Sequence, residues 1–168
     1  MFRATVVAAL VLCGKVTAAP GGQEKGAMHM QPIRVKETGP GTFLITAESS
    51  LDGESGEGQV VVRSRTAPRP AAAPHAALAE GRAFLALGEK LAARKRLPSA
   101  IEAAQGGLAA LGQDYAPPGV DDDTTLKLAA AEDQIEKGNL GNGATTLLRV
   151  LRERIDLYVK AHQAAIVR

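Results

Sequence analysis

The chain is 168 residues long, with one Cys, no Trp, three Phe, two Tyr and a formal charge of +2. That length holds one domain with appendages, and neither its charge nor its Cys content points to a DNA-binding, disulfide-stapled or zinc-ribbon protein. A hydrophobic fraction of 45% excludes a wholly disordered chain, and no apolar run after the N-terminal segment reaches the ~20 residues that span a bilayer.

Residues 1–18 read as a secretory signal peptide. Met1-Phe2-Arg3 gives a short positive start, Ala4 to Gly14 is apolar, and small residues follow up to Ala19-Pro20. Cleavage is expected after Ala18, because a cut after Ala19 would leave Pro20 directly behind it. The competing explanations are a buried N-terminal helix or a start at Met28 or Met30. Leu10-Val11-Leu12-Cys13 resembles a lipobox, but Leu12 stands where the processing site requires a small residue, which disfavours a lipid on Cys13. The expected location is therefore the periplasm or the extracellular space. Removing residues 1–18 takes away Arg3, Lys15 and Cys13. The mature chain is then formally neutral, with 18 acidic side chains balanced by as many basic ones, and it has no thiol to form a disulfide.

Residues 19–30 are small and polar and read as a flexible leader. Residues 31–65 carry strand signals. Ile33, Val35 and Phe43-Leu44-Ile45 flank the turn cluster Thr38-Gly39-Pro40-Gly41, and a turn-rich stretch from Ser49 to Gly58 precedes Val60-Val61-Val62. The expectation is a short β-meander, which must pack on something else or remain marginal. Residues 66–75 form an Ala/Pro linker.

Residues 76–168 are expected to form an α-helical hairpin domain. Leu78, Leu85 and Ala92 recur every seven residues in a first helix. A second helix fits 98–111, opened by Pro98 and closed by Gly112. A third fits 124–137 and ends at Gly138-Asn139. A fourth runs from about Gly143 to His162 with the stripe Ala144, Leu148, Leu151, Ile155, Tyr158 and His162. Gly106-Gly107 costs about 1 kcal/mol per Gly inside a helix, and the usual reason is close approach of a neighbouring helix. The fold class expected from these signals is mainly α.

The two hairpins resemble each other at an offset of about 43 residues, which aligns Ala86 with Ala129, Glu89 with Glu132, Leu97 with Leu140 and Leu108 with Leu151. Phe84, Leu87-Gly88, Leu91, Ala100 and Ala104 have the spacing of the large and small positions of a tetratricopeptide repeat. Ala130-Ala131, Gly138, Leu140 and Gly143 follow it in the second hairpin. The chain resembles that family over roughly 80–111 and 123–154, with departures. There is no Trp, Ala104 stands at the usual aromatic position, and the repeat is longer than the family's 34 residues, with the excess in the loop Asp114 to Asp123. A stack of tetratricopeptide-like pairs and a plain four-helix bundle both fit. The resemblance implies a groove lined by the first helix of each pair, carrying Arg82, Glu89, Thr125 and Glu132 and receiving a peptide or partner helix. Stacks usually need more than two units, so the meander or self-association of the chain would cap them.

No pattern for catalysis emerges. Gly53-Glu54-Ser55-Gly56-Glu57 misses the nucleophile elbow because Glu57 stands where Gly is required, and Gly56-Glu57-Gly58 lacks the rest of a dinucleotide fingerprint. His29, His75 and His162 have no partners at metal-ligand spacing. Met28-His29-Met30 offers soft ligands suited to Cu(I), without a further ligand cluster to complete a site. Asp121-Asp122-Asp123 lacks the alternating ligand spacing of a calcium loop and suits the positive end of a helix. A neutral, aromatic-poor mature chain argues against nucleic acid as a partner. The sequence thus predicts an exported, non-enzymatic protein without a cofactor and without a membrane span after cleavage. Its partner is a protein or peptide in the cell envelope. The alternative function is periplasmic copper handling through Met28, His29 and Met30.

Overall fold

The computed structural model describes residues 26–63, 73–112, 121–161 and 166–167. The expected signal segment 1–18, most of the expected leader, residues 66–72 of the expected linker, residues 113–120 and His162 lie outside the described residues.

The expected fold class, mainly α, is corrected by a five-stranded antiparallel sheet packed against four helices, a mixed α/β arrangement. The strands are β1 (His29–Met30), β2 (Arg34–Gly39), β3 (Thr42–Leu51), β4 (Glu54–Arg63) and β5 (Ile166–Val167); between β4 and β5 come α1 (Ala73–Ala93), α2 (Leu97–Leu111), α3 (Asp121–Glu136) and α4 (Leu140–Ala161). β3 is central: β1 and β2 pair with its two halves along one edge, and β4 pairs along the other. β5 joins β4 at Val61 and Val62.

Turn chemistry explains the hairpins. Pro40-Gly41 joins β2 to β3, with Gly41 at φ 68° in the position where a type II turn needs a left-handed residue. The turn between β3 and β4 is only Asp52-Gly53, both at positive φ, as a type I′ hairpin requires. The stretch from Ser49 to Gly58, which reads as turn-rich in sequence, is therefore mostly strand. Its small residues meet a helix.

Alternation sets the buried face. Phe43, Ile45, Ala47, Ser49 and Leu51 on β3 point inward, opposite Val62, Val60, Gly58, Gly56 and Glu54 on β4. Large residues at one end of this face give way to Gly at the other. A Cβ on Gly58 would overlap the Ala79 carbonyl oxygen and the Ala83 nitrogen, and one on Gly56 would overlap the Ala83 carbonyl oxygen and the Leu87 nitrogen. The backbone of α1 thus lies directly on β4, an approach that only Gly permits.

One cluster of buried residues joins sheet and helices: Ile45, Ala47, Val60 and Val62 with Leu78, Ala79 and Ala83 of α1, Leu111 of α2, and Leu151, Ile155 and Tyr158 of α4. A second lies among the helices, with Leu87, Leu91, Ala100, Ala103, Ala104, Leu147 and Leu148, and it reaches Leu51 at the end of β3. α1 and α2 pack as a pair, α4 lies against both, and α3 packs on α4.

Both inter-helix turns close in the same way. After α1, Lys95 adopts φ 59°, with its N–H bonded to Ala92 and that of Arg96 to Leu91. After α3, Gly138 at φ 78° makes the matching pair, to Ile135 from its own N–H and to Gln134 from Asn139. Each is a Schellman cap. The two left-handed residues stand at equivalent positions of the two sequence-similar hairpins.

The helix boundaries move outward from the expected ones. α1 begins inside the expected linker, at Ala73, and Asp121–Asp123 form the first turn of α3 instead of preceding it. α4 begins at Leu140, so Gly141 and Gly143 are helical; Gly143 is where Ile135 of α3 packs against the backbone.

Candidate functional surfaces

The residues singled out in the sequence are scattered over the fold. Met28 is half-buried against the helical core, its sulfur close to Gly106 of α2 and near Phe84. His29 is exposed on β1 and Met30 half-buried. Strand alternation turns the imidazole of His29 away from the face that Met30 uses, so the three side chains do not converge. Among the described residues no group of three His, Cys, Asp or Glu side chains could hold a metal ion.

Of the two groove residues on α1, both face internal partners. The Arg82 guanidinium donates to the Gln59 carbonyl of β4, and Glu89 is ion-paired with Arg152 of α4. Arg82 belongs to a series. Lys90 donates to the Ser55 carbonyl at 2.6 Å, Arg94 pairs with Glu54, and Arg96 donates to the Asp52 carbonyl. Ser99 donates to the Asp52 carboxylate. On the side away from β3, residues 54–60 of β4 have no strand partner among the described residues, since β5 pairs only at 61 and 62. Arg82 and Lys90 of α1 cap the Gln59 and Ser55 carbonyls of that segment, and charged side chains at an open edge are a common way to blunt it against pairing with other chains. Arg94 and Arg96 thus hold the β3–β4 turn against the helices.

Of the two groove residues on α3, both are exposed. Thr125 and Glu132 share a broad outward face with Leu126, Ala129, Ala130, Asp133 and Glu136. Leu126 is 70% exposed and is the exposed large hydrophobic residue among the described positions. The opposite face of α3 carries Thr124, Leu128, Ala131 and Ile135 toward the core. Lys127 links the helix to α4, holding Asp123 at 2.7 Å and Glu153 at 2.8 Å. Its hydrogen bonds to Asp123 and Glu153 hold its proton more tightly than usual.

Two clefts remain. One, of about 420 Å³, is lined by Leu108, Ala109, Leu111 and Gly112 at the end of α2 with Leu128 and Arg154. The other, of about 460 Å³, lies between α1 and the last turns of α4 and is lined by Arg82, Asp156, Val159 and Lys160. Burial weakens the hold of Arg82 on its proton, and the field of Asp156 partly restores it. Glu80, also on α1, is partly buried, which raises its carboxyl above the ordinary range.

Sequence reasoning named Arg82 as a groove residue and Asp156 as a partner of Arg152 on a solvated face of α4, where the structure pairs Arg152 with Glu89; it did not bring Asp156 or Lys160 to Arg82. A signal was present: the two are one helical turn apart on the polar side of the strongest stripe in the chain. Nothing local indicates that α4 brings them beside Arg82. No described helix is long and apolar enough to cross a membrane. Searches against protein-family models, curated proteins and solved structures yield no match.

Proposed function

We propose that this chain is an exported, non-enzymatic protein-interaction module that receives a peptide or partner helix on the outward face of α3. The observation that carries the reading is Leu126, 70% exposed near the N-terminal end of a face otherwise made of Ala, Thr and acidic side chains. An exposed large apolar side chain flanked by small residues offers close approach to another helix, and an acidic rim selects a partner with basic flanks. The tetratricopeptide-like spacing supports the same surface, because in that family the first helix of each pair lines the groove. α1 is covered by β4 and uses Arg82 and Glu89 within the fold, whereas α3 keeps Thr125 and Glu132 exposed.

The test is affinity capture from the native envelope with the wild-type chain, Leu126→Lys and Glu132→Ala. Leu126→Lys is expected to reduce recovery of a discrete partner at least tenfold. Its melting temperature should stay close to wild type, since a surface change of this kind shifts stability by about 0.5 kcal/mol or less. Glu132→Ala should reduce recovery by a smaller factor that grows at low salt. Equal recovery with wild type and Leu126→Lys would contradict the reading.

A further inference from the structure

We propose that the cleft between α1 and the C-terminal end of α4 is a carboxylate-binding site, in which Arg82 and Lys160 take the anionic group and Val159 forms an apolar wall. The site is independent of the α3 face. Its volume, about 460 Å³, falls within the roughly 300–1,000 Å³ of small-ligand sites.

Three observations point to the ligand. Arg82 is anchored, because the Gln59 carbonyl on β4 accepts one of its N–H groups while its remaining donors are left for a ligand. Among the described residues, neither Arg82 nor Lys160 takes part in an ion pair. A partly desolvated guanidinium that feels the field of Asp156 without forming an ion pair with it gains from an arriving carboxylate, which fits the fork of Arg donors in the bidentate manner. Finally, among the described residues two cations and one carboxylate line the cleft, an excess of a single positive charge. A monoanion neutralises it. A phosphate dianion would over-compensate and meet the repulsion of Asp156, which is instead suited to accept an N–H from the same ligand.

These features describe an acylated amino-acid carboxylate bearing a small apolar side chain. It can arrive as the C-terminus of a peptide or as a free small acid. Titration of the ¹⁵N-labelled full chain with N-acetyl-Ala-Val, its C-terminal amide and isobutyrate distinguishes the sources. The acid is expected to produce saturable shifts at Arg82, Asp156, Val159 and Lys160, and the amide to bind at least tenfold more weakly. Tighter binding of N-acetyl-Ala-Val than isobutyrate assigns the site to peptide ends; equal binding assigns it to free acids. Lys160→Gln, an exposed change, should weaken the acid about tenfold, and Asp156→Asn should strengthen the binding of isobutyrate, which has no N–H to offer Asp156, several-fold. Arg82→Gln should abolish the shifts, with its folding checked by the dispersion of the remaining spectrum. Absence of saturable shifts in the wild-type chain, or equal binding of acid and amide, would overturn the proposal.

Discussion

Replacing Gly58 by Ala is expected to lower the free energy of unfolding by about 3 kcal/mol, toward the upper end of overpacking effects. The new Cβ would fall on the backbone of α1, at the Ala79 carbonyl and the Ala83 nitrogen, with the Arg82 Cβ also at 2.8 Å. Backbone inside a helix cannot swing aside as a side-chain tip can, so α1 must lift from the sheet. That movement would loosen Ala79 and Ala83 in the shared cluster and pull Arg82 from the Gln59 carbonyl. Gly56→Ala should act in the same way, through Ala83 and Leu87. Because either substitution lifts the same helix, the double variant should cost less than the sum of the two singles. Gly141→Ala is the contrast. A Cβ there meets nothing closer than Leu97 at 3.9 Å, and it removes a Gly from a helix, so stability should rise by up to about 1 kcal/mol. Urea titration with a constant m-value reads all four.

The second large effect is a compensating pair where α4 crosses α2. Leu151 is fully buried, and its Cδ2 would lie 2.6 Å from a Cβ on Gly107, whose other close neighbour is the Phe84 Cβ at 3.0 Å. Leu151→Ala alone should cost about 3–4 kcal/mol through lost burial and a residual cavity. Gly107→Ala alone should cost about 1–2 kcal/mol, because the clash with Leu151 outweighs the better helix propensity of Ala. In the double variant the new methyl occupies part of the space that Leu151 leaves. The combined loss should fall short of the sum by at least about 1 kcal/mol, the range expected for residues in direct contact. Additive losses would mean that the two helices do not meet at this point.

These two sites also mark the limit of what was legible in the sequence. Gly106-Gly107 within a helical pattern does signal a close neighbour, and Leu151 belongs to the clearest stripe of the chain; only their pairing is tertiary information. The four helices were readable to within about three residues, the starts of α1, α3 and α4 each lying three residues earlier than expected. Gly141 and Gly143 made the start of α4 look like a turn, although Gly143 serves to admit Ile135. Gly56 and Gly58 misled more seriously. In isolation, Ser55-Gly56-Glu57-Gly58 reads as turn, so the pattern limits β4 to Val60–Val62 and makes the sheet look too small to shape the fold. The mainly α expectation followed from that. The period-two run Phe43, Ile45, Ala47, Ser49, Leu51 did carry the strand signal, but weakly, because Ala and Ser contribute little hydrophobic contrast. β5 is too short for any periodic signal.

The candidate surfaces were legible in proportion to how local they are. Thr125 and Glu132 are exposed as an amphipathic α3 requires. The internal roles of Arg82 and Glu89 depend on β4 and α4, far away in the chain. His29 between two Met residues looked like a ligand set only because one-dimensional adjacency hides the alternation of a strand.

The central physical claim is that α1 belongs equally to the sheet and to the helices, so that both rise and fall together. Native-state hydrogen exchange across a series of low urea concentrations tests this most directly. Amides of Ile45 and Val60 in the sheet, of Leu87 in α1 and of Leu151 in α4 should converge on one opening free energy equal to that of global unfolding. Exchange of Ile45 and Val60 through a smaller, separate opening, with Leu87 and Leu151 still protected, would contradict it.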